Sequence, residues 1–506
     1  MKRSHILFFS LLMLFVGCSK DSFTPTNSDK APELLTRDQI NEIVLDKLNS
    51  TGEFNWNMVD ANVVHSALVA GDQVLDLGYI PAGEGDLTDR IHLIDINTPK
   101  WQAAKDKVLQ AIVNKLNENS EKTIKLEDIL MDDDDFFPHL AVQVSDYNVV
   151  KMLLEMEEVR FAEPGGYEDK DSGSNDNRDL GCGANPDYSI PTADYTNISP
   201  SVKRPWTLDK ANVQNAWSTS QGDNITISIL DTGSSPSQPK LGSQFASGQS
   251  TGRSIERKGF YQPKWWSSSL DGPDDQCGHG TQMMGLAVAP RGYNGTAVGV
   301  AYKSDLLACR VTADVFISNS REKRGVRNGL KYSANKSNVK VISMSLGTPF
   351  SSSTVTDGVN YAYNKGKMIL AAAGTSLPWL NWVGVLFPAT LSRTVAITGV
   401  KEGSPIEECN TCHYGSKVDF TAVMQRRNDD SRVGLTLAMS GYTPSSVSGS
   451  SCATATTAGI VGLIWATNPS MSRATVLQKM KNASANYPSK DSDFGYGAID
   501  ANQAVN

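Results

Sequence analysis

The 506-residue chain is poor in histidine, with six in all and only His279 and His413 beyond position 140. Chemistry that needs an imidazole in that stretch has two candidates. Basic charge is also in deficit. Lys and Arg number 47 against 55 Asp and Glu, a formal charge of -8, so nothing draws the chain to a polyphosphate backbone and nucleic acid is not an expected partner. Charged residues are only 20% and hydrophobic residues 40%, which removes any disorder signature for the whole chain and leaves material for a sizeable core. Long apolar runs are scarce. The one at the N-terminus, Ile6 to Val16, is too short for a stable membrane span.

That run follows Lys2 and Arg3 and ends in Phe15, Val16, Gly17 and Cys18. It resembles a bacterial lipoprotein signal, in which small residues precede a cysteine that is lipidated and becomes the mature N-terminus. Phenylalanine stands where leucine is usual, and an ordinary secretion signal with Cys18 incidental is the competing reading. The resemblance implies a signal peptide over 1–17, a polar tether over 18–33 and a membrane attachment through lipid on Cys18. The expected location is the bacterial cell envelope, at the outer membrane or cell surface, or the exterior. Six cysteines remain in the exported chain: Cys182, Cys277, Cys309, Cys409, Cys412 and Cys452. Six allow fifteen pairings, and the sequence does not choose among them.

Residues 34–167 read as a small α+β unit. Ile91, Leu93, Ile94 and Ile96 predict a strand, and Ala104, Val108, Ala111, Ile112 and Leu116 share one face of a following helix. Leu140, Val142 and Val144 alternate as a strand, Val149 to Met156 reads as a helix, and Val159 to Ala162 as a closing strand. The acidic run Asp132 to Asp135 reads as a solvated loop. Residues 168–205 begin with a stretch almost free of apolar side chains, the best candidate for a domain boundary and a processing region.

From about residue 206 apolar strands alternate with helices. The strands are Ile225 to Leu230, Leu306 to Val311, Val339 to Leu346, Met368 to Ala373 and Val395 to Val400, with helices near 319–337 and 354–365. This pattern predicts an α/β fold, a mostly parallel sheet covered by helices on both faces. Such a sheet places working residues at the carboxyl ends of its strands.

Three positions there are chemically unusual. Asp231 ends an apolar strand in ISILDTG, where a buried carboxylate needs a donor. His279 lies between glycines in GHGTQMMGLAVA, at the start of an apolar helix, and Ser451 opens a second apolar helix in SGSSCATATTAGIVGLIWA. Helix N-termini favour developing negative charge. Together with GVAYKSDLLACRV, VISMSLG, MILAAAG, FPATLSRTVAITGV and GYGAIDANQAV, all in order over 206–506, these segments resemble the subtilisin family of serine proteases. The N-terminal pattern, especially VRFAEP, is similar to that family's inhibitor-like, ferredoxin-like propeptide.

The resemblance implies a serine endopeptidase made as a precursor and acting on peptide or protein substrates, with its own propeptide as a partner. His279 would relay a proton from Ser451 to the leaving amine while Asp231 orients the ring, a mechanism that forms an acyl-enzyme and needs no catalytic cofactor. Ser345, Leu346 and Gly347 would form one wall of the primary specificity pocket, and Ala372, Ala373 and Gly374 the other. Thr375 departs from the family, standing where an asparagine normally donates to the oxyanion; with the Ser451 backbone N–H, it is expected to complete that hole. Cys452 replaces a methionine and reads as a buried structural thiol. A non-catalytic envelope protein that retains the fold and holds peptides is the alternative function, with Thr375 as its best support.

Two motifs stand apart. Cys409 to His413 has the CxxCH spacing of covalent haem attachment, but its surroundings continue into a protease-like strand, which favours a local disulfide or two buried thiols. DGPDDQ at 271–276 offers oxygen ligands for structural calcium, with a solvated acidic loop as the competing reading.

Overall fold

The computed structural model describes residues 31–118, 120–167, 181–265, 269–375 and 384–506. Cys18 and the proposed signal lie outside the described residues. Leu34–Asn506 form one compact unit. Among the described residues, no helix is long and apolar enough to cross a membrane.

The N-terminal part carries four strands, β1 (Val74–Tyr79), β2 (Leu130–Asp133), β3 (His139–Gln143) and β4 (Val159–Pro164), in the antiparallel order β2-β3-β1-β4. With helices Pro99–Asn117 and Tyr147–Glu155 between them, this is the ferredoxin-like βαββαβ arrangement. The expected strand at 91–96 is instead a short 3₁₀ turn, Ile91–Leu93, and the first strand is VLDLGY at 74–79. Its six residues are all buried, so the alternation that marks a one-sided strand is missing.

A short hairpin, β5 (Tyr195–Ile198) and β6 (Val202–Pro205), precedes a seven-stranded sheet. Its strands are β7 (Thr226–Asp231), β8 (Ile255–Gly259), β9 (Asp305–Arg310), β10 (Val339–Met344), β11 (Met368–Ala372), β12 (Val395–Lys401) and β13 (Phe420–Gln425), all paired in parallel in the order β13-β12-β11-β10-β7-β9-β8. The chain leaves β7 toward β8 and β9 on one side and β10 on the other, which makes the end of β7 the switch point where such sheets open a crevice. The edge strand IERKG is too polar to read as a strand from its pattern.

Both faces are covered. On one, helices His279–Val288 and Ser450–Ala466 build an apolar core with Ile227, Ile229, Leu370 and Ile397. Helix Ser450–Ala466 is buried nearly all round, consistent with a sequence that has no polar stripe. On the other face, helices Ser320–Ala334 and Ser353–Asn364 carry a core continuous with that of the N-terminal part.

That second junction also holds charge. Across it Asp134 pairs with Arg327 and Asp132 with Arg324 at 3.4 Å, while Asp133 pairs with Lys105 at 2.9 Å within the N-terminal part. The expected solvated loop holds only for Asp133 and Asp135, which are exposed: Asp134 is buried and caps the Phe136 and Phe137 backbone N–H groups. The matching arginines sit almost 200 residues downstream, out of reach of a local reading.

Candidate active site

Asp231 is the last residue of β7 and is 1% exposed. Its Oδ1 accepts from the Thr232 backbone N–H at 2.8 Å and lies 2.8 Å from His279 Nδ1. Asp231 Oδ2 is buried without a hydrogen-bond partner among the described residues. A carboxylate so desolvated gains from positive charge on the ring it faces. Burial opposes that charge, but Asp231 outweighs it, with Asp275 and Asp314 adding, and the His279 pKa stands above the ordinary 6.5.

The ring is aimed by its neighbours. Gly278 takes a left-handed φ of 98° and turns the chain into the helix that His279 opens. A Cβ on Gly280 would fall 2.3 Å from the Gly233 carbonyl oxygen, so only glycine lets this helix lie against the loop after Asp231. Asp275 fixes the turn: its carboxylate accepts from the backbone N–H groups of Cys277, Gly278 and Thr281 and from the hydroxyls of Thr232 and Thr281, at 2.6–3.0 Å. Sequence reasoning assigned Asp275 no such role. An aspartate just ahead of a helix start is the signature that could have found it.

Ser451 is the second residue of its helix, after Gly449 at φ 113°. Its hydroxyl is 3.5 Å from the Ser345 carbonyl oxygen, and the Ser345 hydroxyl donates to the Ser451 carbonyl at 3.0 Å. Ser451 and His279 line one cleft of ≈ 140 Å³ with Ser345, Leu346, Gly347, Ala372, Gly374 and Thr375. These come from the ends of the adjacent strands β10 and β11. Ala373 does not line the cleft: it stands behind the wall, its N–H donating to Ile397 and its carbonyl accepting from Leu386, both at 2.8 Å.

Thr375 faces the cleft, with its hydroxyl 3.1 Å from Ser450 Oγ, which also accepts from the Gly374 N–H at 3.2 Å. Ser450 thus ties the loop after β11 to the serine helix, a contact the motif did not reveal. His413 supports the same loop: its backbone N–H donates to the Gly374 carbonyl at 2.9 Å and its ring Nδ1–H to the Gly384 carbonyl at 2.8 Å. Burial lowers its pKa, in keeping with a neutral ring.

Cys409 and Cys412 are joined in a disulfide, so the CxxCH sulfurs are spent on each other. A second disulfide joins Cys182 to Cys277, two residues before His279. Cys452 is buried and its thiol pKa pushed up by desolvation, and Cys309 is pushed up to about 12 for the same reason. Both are poor nucleophiles.

The carboxylates of 271–276 are engaged as well. Asp271 pairs with Arg310, Asp274 with Arg257 at 3.3 Å, and Asp275 holds the turn described above. Among the described residues no cluster of three His, Cys, Asp or Glu side chains is arranged to hold a metal. This donor set does not fit calcium at that loop.

Residues 222–497 match the model of the subtilase family. The chain is 29% identical to thermitase of Thermoactinomyces vulgaris over 313 residues, 62% of this chain and 99% of that protein. It is also 29% identical to a subtilisin of Bacillus sp. (strain TA39) over 304 residues, 56% and 67% of the two chains. Fervidolysin from Fervidobacterium pennivorans, described as a keratinolytic enzyme related to subtilisin, shares the fold at a TM-score of 0.57 and 17% identity, over 86% of this chain and 60% of that one. A parallel sheet opening at β7, an aspartate–histidine pair at that opening and a family match spanning both lead to one conclusion: this chain belongs to the subtilase family and is a serine endopeptidase.

Proposed function

We propose that Asp231, His279 and Ser451 form the catalytic triad. The observation that carries the assignment is the 2.8 Å contact between a buried carboxylate and an imidazole that shares its cleft with a helix-mounted serine hydroxyl. Ser451 attacks the substrate carbonyl as His279 takes its proton, and the imidazolium, stabilised by Asp231, returns that proton to the departing amine. The acyl-enzyme is then hydrolysed by water through the same base. Developing charge on the oxygen is met by the Ser451 N–H at the helix start and by Thr375. No catalytic cofactor is needed.

The mostly apolar lining between Leu346 and Ala372 supports binding of an uncharged substrate side chain. In this reading residues 34–167 are a propeptide that assists folding and restrains the enzyme until a cut within 168–205. The charge pairs Arg160–Asp357 and Asp134–Arg327 between the N-terminal part and the two helices beneath it support that role. Residues 1–17 direct export and Cys18 carries a lipid that holds the enzyme at the bacterial envelope.

A serine-directed fluorophosphonate probe tests the core assignment. Labelling of the wild type that vanishes in Ser451→Ala is expected; a folded wild type that never labels would favour the peptide-binding alternative, for which the missing oxyanion asparagine speaks. Intact mass spectrometry of both proteins shows whether the precursor cuts itself. Fatty-acid labelling lost in Cys18→Ala is expected of the anchor.

A further inference from the structure

The triad accounts for His279 but not for the polypeptide laid beside it. Gly181 lines the same cleft, and a Cβ built on it would lie 3.6 Å from His279 Cδ2 and 3.2 Å from the methyls of Val315. The next residue, Cys182, is bonded to Cys277. Beyond it the strap is fastened at each step: the Gly183 N–H donates to the Cys277 carbonyl at 2.9 Å, the Ala184 carbonyl accepts from Met439 at 2.9 Å, and the Asp187 N–H donates to Pro444 at 2.8 Å. Packing is close as well, since a Cβ on Gly278 would come within 2.9 Å of the Ala184 methyl.

We infer that the strap Gly181–Asp187, locked by the Cys182–Cys277 disulfide, is a specificity-determining wall: it narrows the subsite beside the His279 imidazole and selects peptides with a small residue there. The inference rests on the triad reading and deepens it. A substrate spanning the cleft must pass one of its residues over the imidazole, because the ring has to reach both the serine proton and the departing amine. Gly181 already occupies the rim of that space, and glycine leaves the least bulk there. The crosslink makes the wall permanent, because any backbone cut upstream of Gly181 leaves the strap attached to Cys277. One methylene more or less in an apolar pocket already shifts kcat/KM by roughly 10- to 200-fold, which sets the scale for a wall that admits Gly and not Phe.

The test uses the full-length protein and internally quenched peptides in which the residues on either side of the scissile residue are, one at a time, Gly or Phe. At the position that packs on the imidazole, wild type should favour Gly over Phe by at least about 10-fold in kcat/KM. Cys182→Ser with Cys277→Ser should bring that ratio within about threefold of unity, since the unfastened strap can yield. Ratios are compared within each protein, so a general loss of activity cancels. Gly181→Asn leaves the crosslink in place and suits the left-handed backbone, φ 73°. It should raise the ratio above the wild-type value and covers the case in which the serine variant fails to fold. A wild type indifferent to Phe at every position, or ratios equal across the three proteins, overturns the inference. Fluorophosphonate labelling of Ser451 in the same samples separates this from failure of the triad reading: labelled enzyme with unmoved ratios removes only the wall, whereas unlabelled wild type removes both.

Discussion

His139 Nε2 of the N-terminal sheet lies 2.6 Å from Asp357 Oδ2 of helix Ser353–Asn364, with both side chains buried. Arg327 donates to His139 Nδ1 at 2.9 Å, and Arg160 pairs with the same Asp357. A ring that accepts at Nδ1 and donates at Nε2 is neutral, and burial lowers the His139 pKa despite Asp357, with Arg327 and Arg160 lowering it further. Asp134, paired with Arg327, completes the charges around it. Burial would raise the Asp357 pKa, but Arg160 and His139 hold it at about 2.

The first prediction concerns pH. As pH falls through 6.5 the unfolded chain takes up a proton at His139 more readily than the folded one, so this residue's contribution is lost as pH falls from 6.5. Glu163 works the other way: burial, only partly offset by Ser353, raises its pKa to about 7, so its contribution is complete below 4.5 and lost as pH rises through about 7. The two slopes oppose each other just below pH 6.5. Tm measured against pH should become steeper on the acid side in Glu163→Gln and should fall toward neutrality in His139→Gln.

A second prediction follows from the raised pKa of His279. The proposed mechanism needs the neutral ring, so kcat/KM should climb with pH through a midpoint above 6.5. Asp231→Asn removes the cause of the shift. The midpoint should drop and kcat fall by roughly 10⁴-fold, read from a pH–rate profile.

Thr375→Val keeps shape and deletes the hydroxyl. If that group serves the oxyanion, kcat falls by roughly 10²- to 10³-fold with KM little changed. Unaltered turnover in a steady-state assay removes Thr375 from the mechanism.

Gly280→Ala sets a methyl against the Gly233 carbonyl at 2.3 Å. Either the histidine helix or the loop after Asp231 must shift. A loss of about 1–3 kcal/mol in denaturant unfolding is expected, with a larger proportional loss of activity.

The acidic loop at 271–276 spends its carboxylates on Arg310, Arg257 and the histidine turn. Addition of a calcium chelator should therefore leave that loop intact, seen as unchanged fluorophosphonate reactivity of Ser451.

Legibility in the sequence followed physical range. Asp231, His279 and Ser451 stood out because each interrupts an apolar element at its end, a local pattern that survives without coordinates. The parallel strands were readable because burial on both faces makes them continuous apolar runs, whereas β8, polar and at the edge, was not. Asp275 escaped because three of its five donors are backbone N–H groups, which carry no residue identity, and one of its two hydroxyl donors, Thr232, lies 43 residues away. The pairing of Cys182 with Cys277 escaped because it joins positions 95 apart. Within the acidic run, the pairing of Asp132 and Asp134 escaped because their arginines lie on a helix that only the folded chain brings near.

Helix Ser450–Ala466 threads the middle of the protein with almost every residue shielded from water. A segment so greasy cannot rest at the surface of a half-assembled chain. In the proposed triad, the Ser451 hydroxyl therefore meets the imidazole only where the surrounding sheet has closed over this helix.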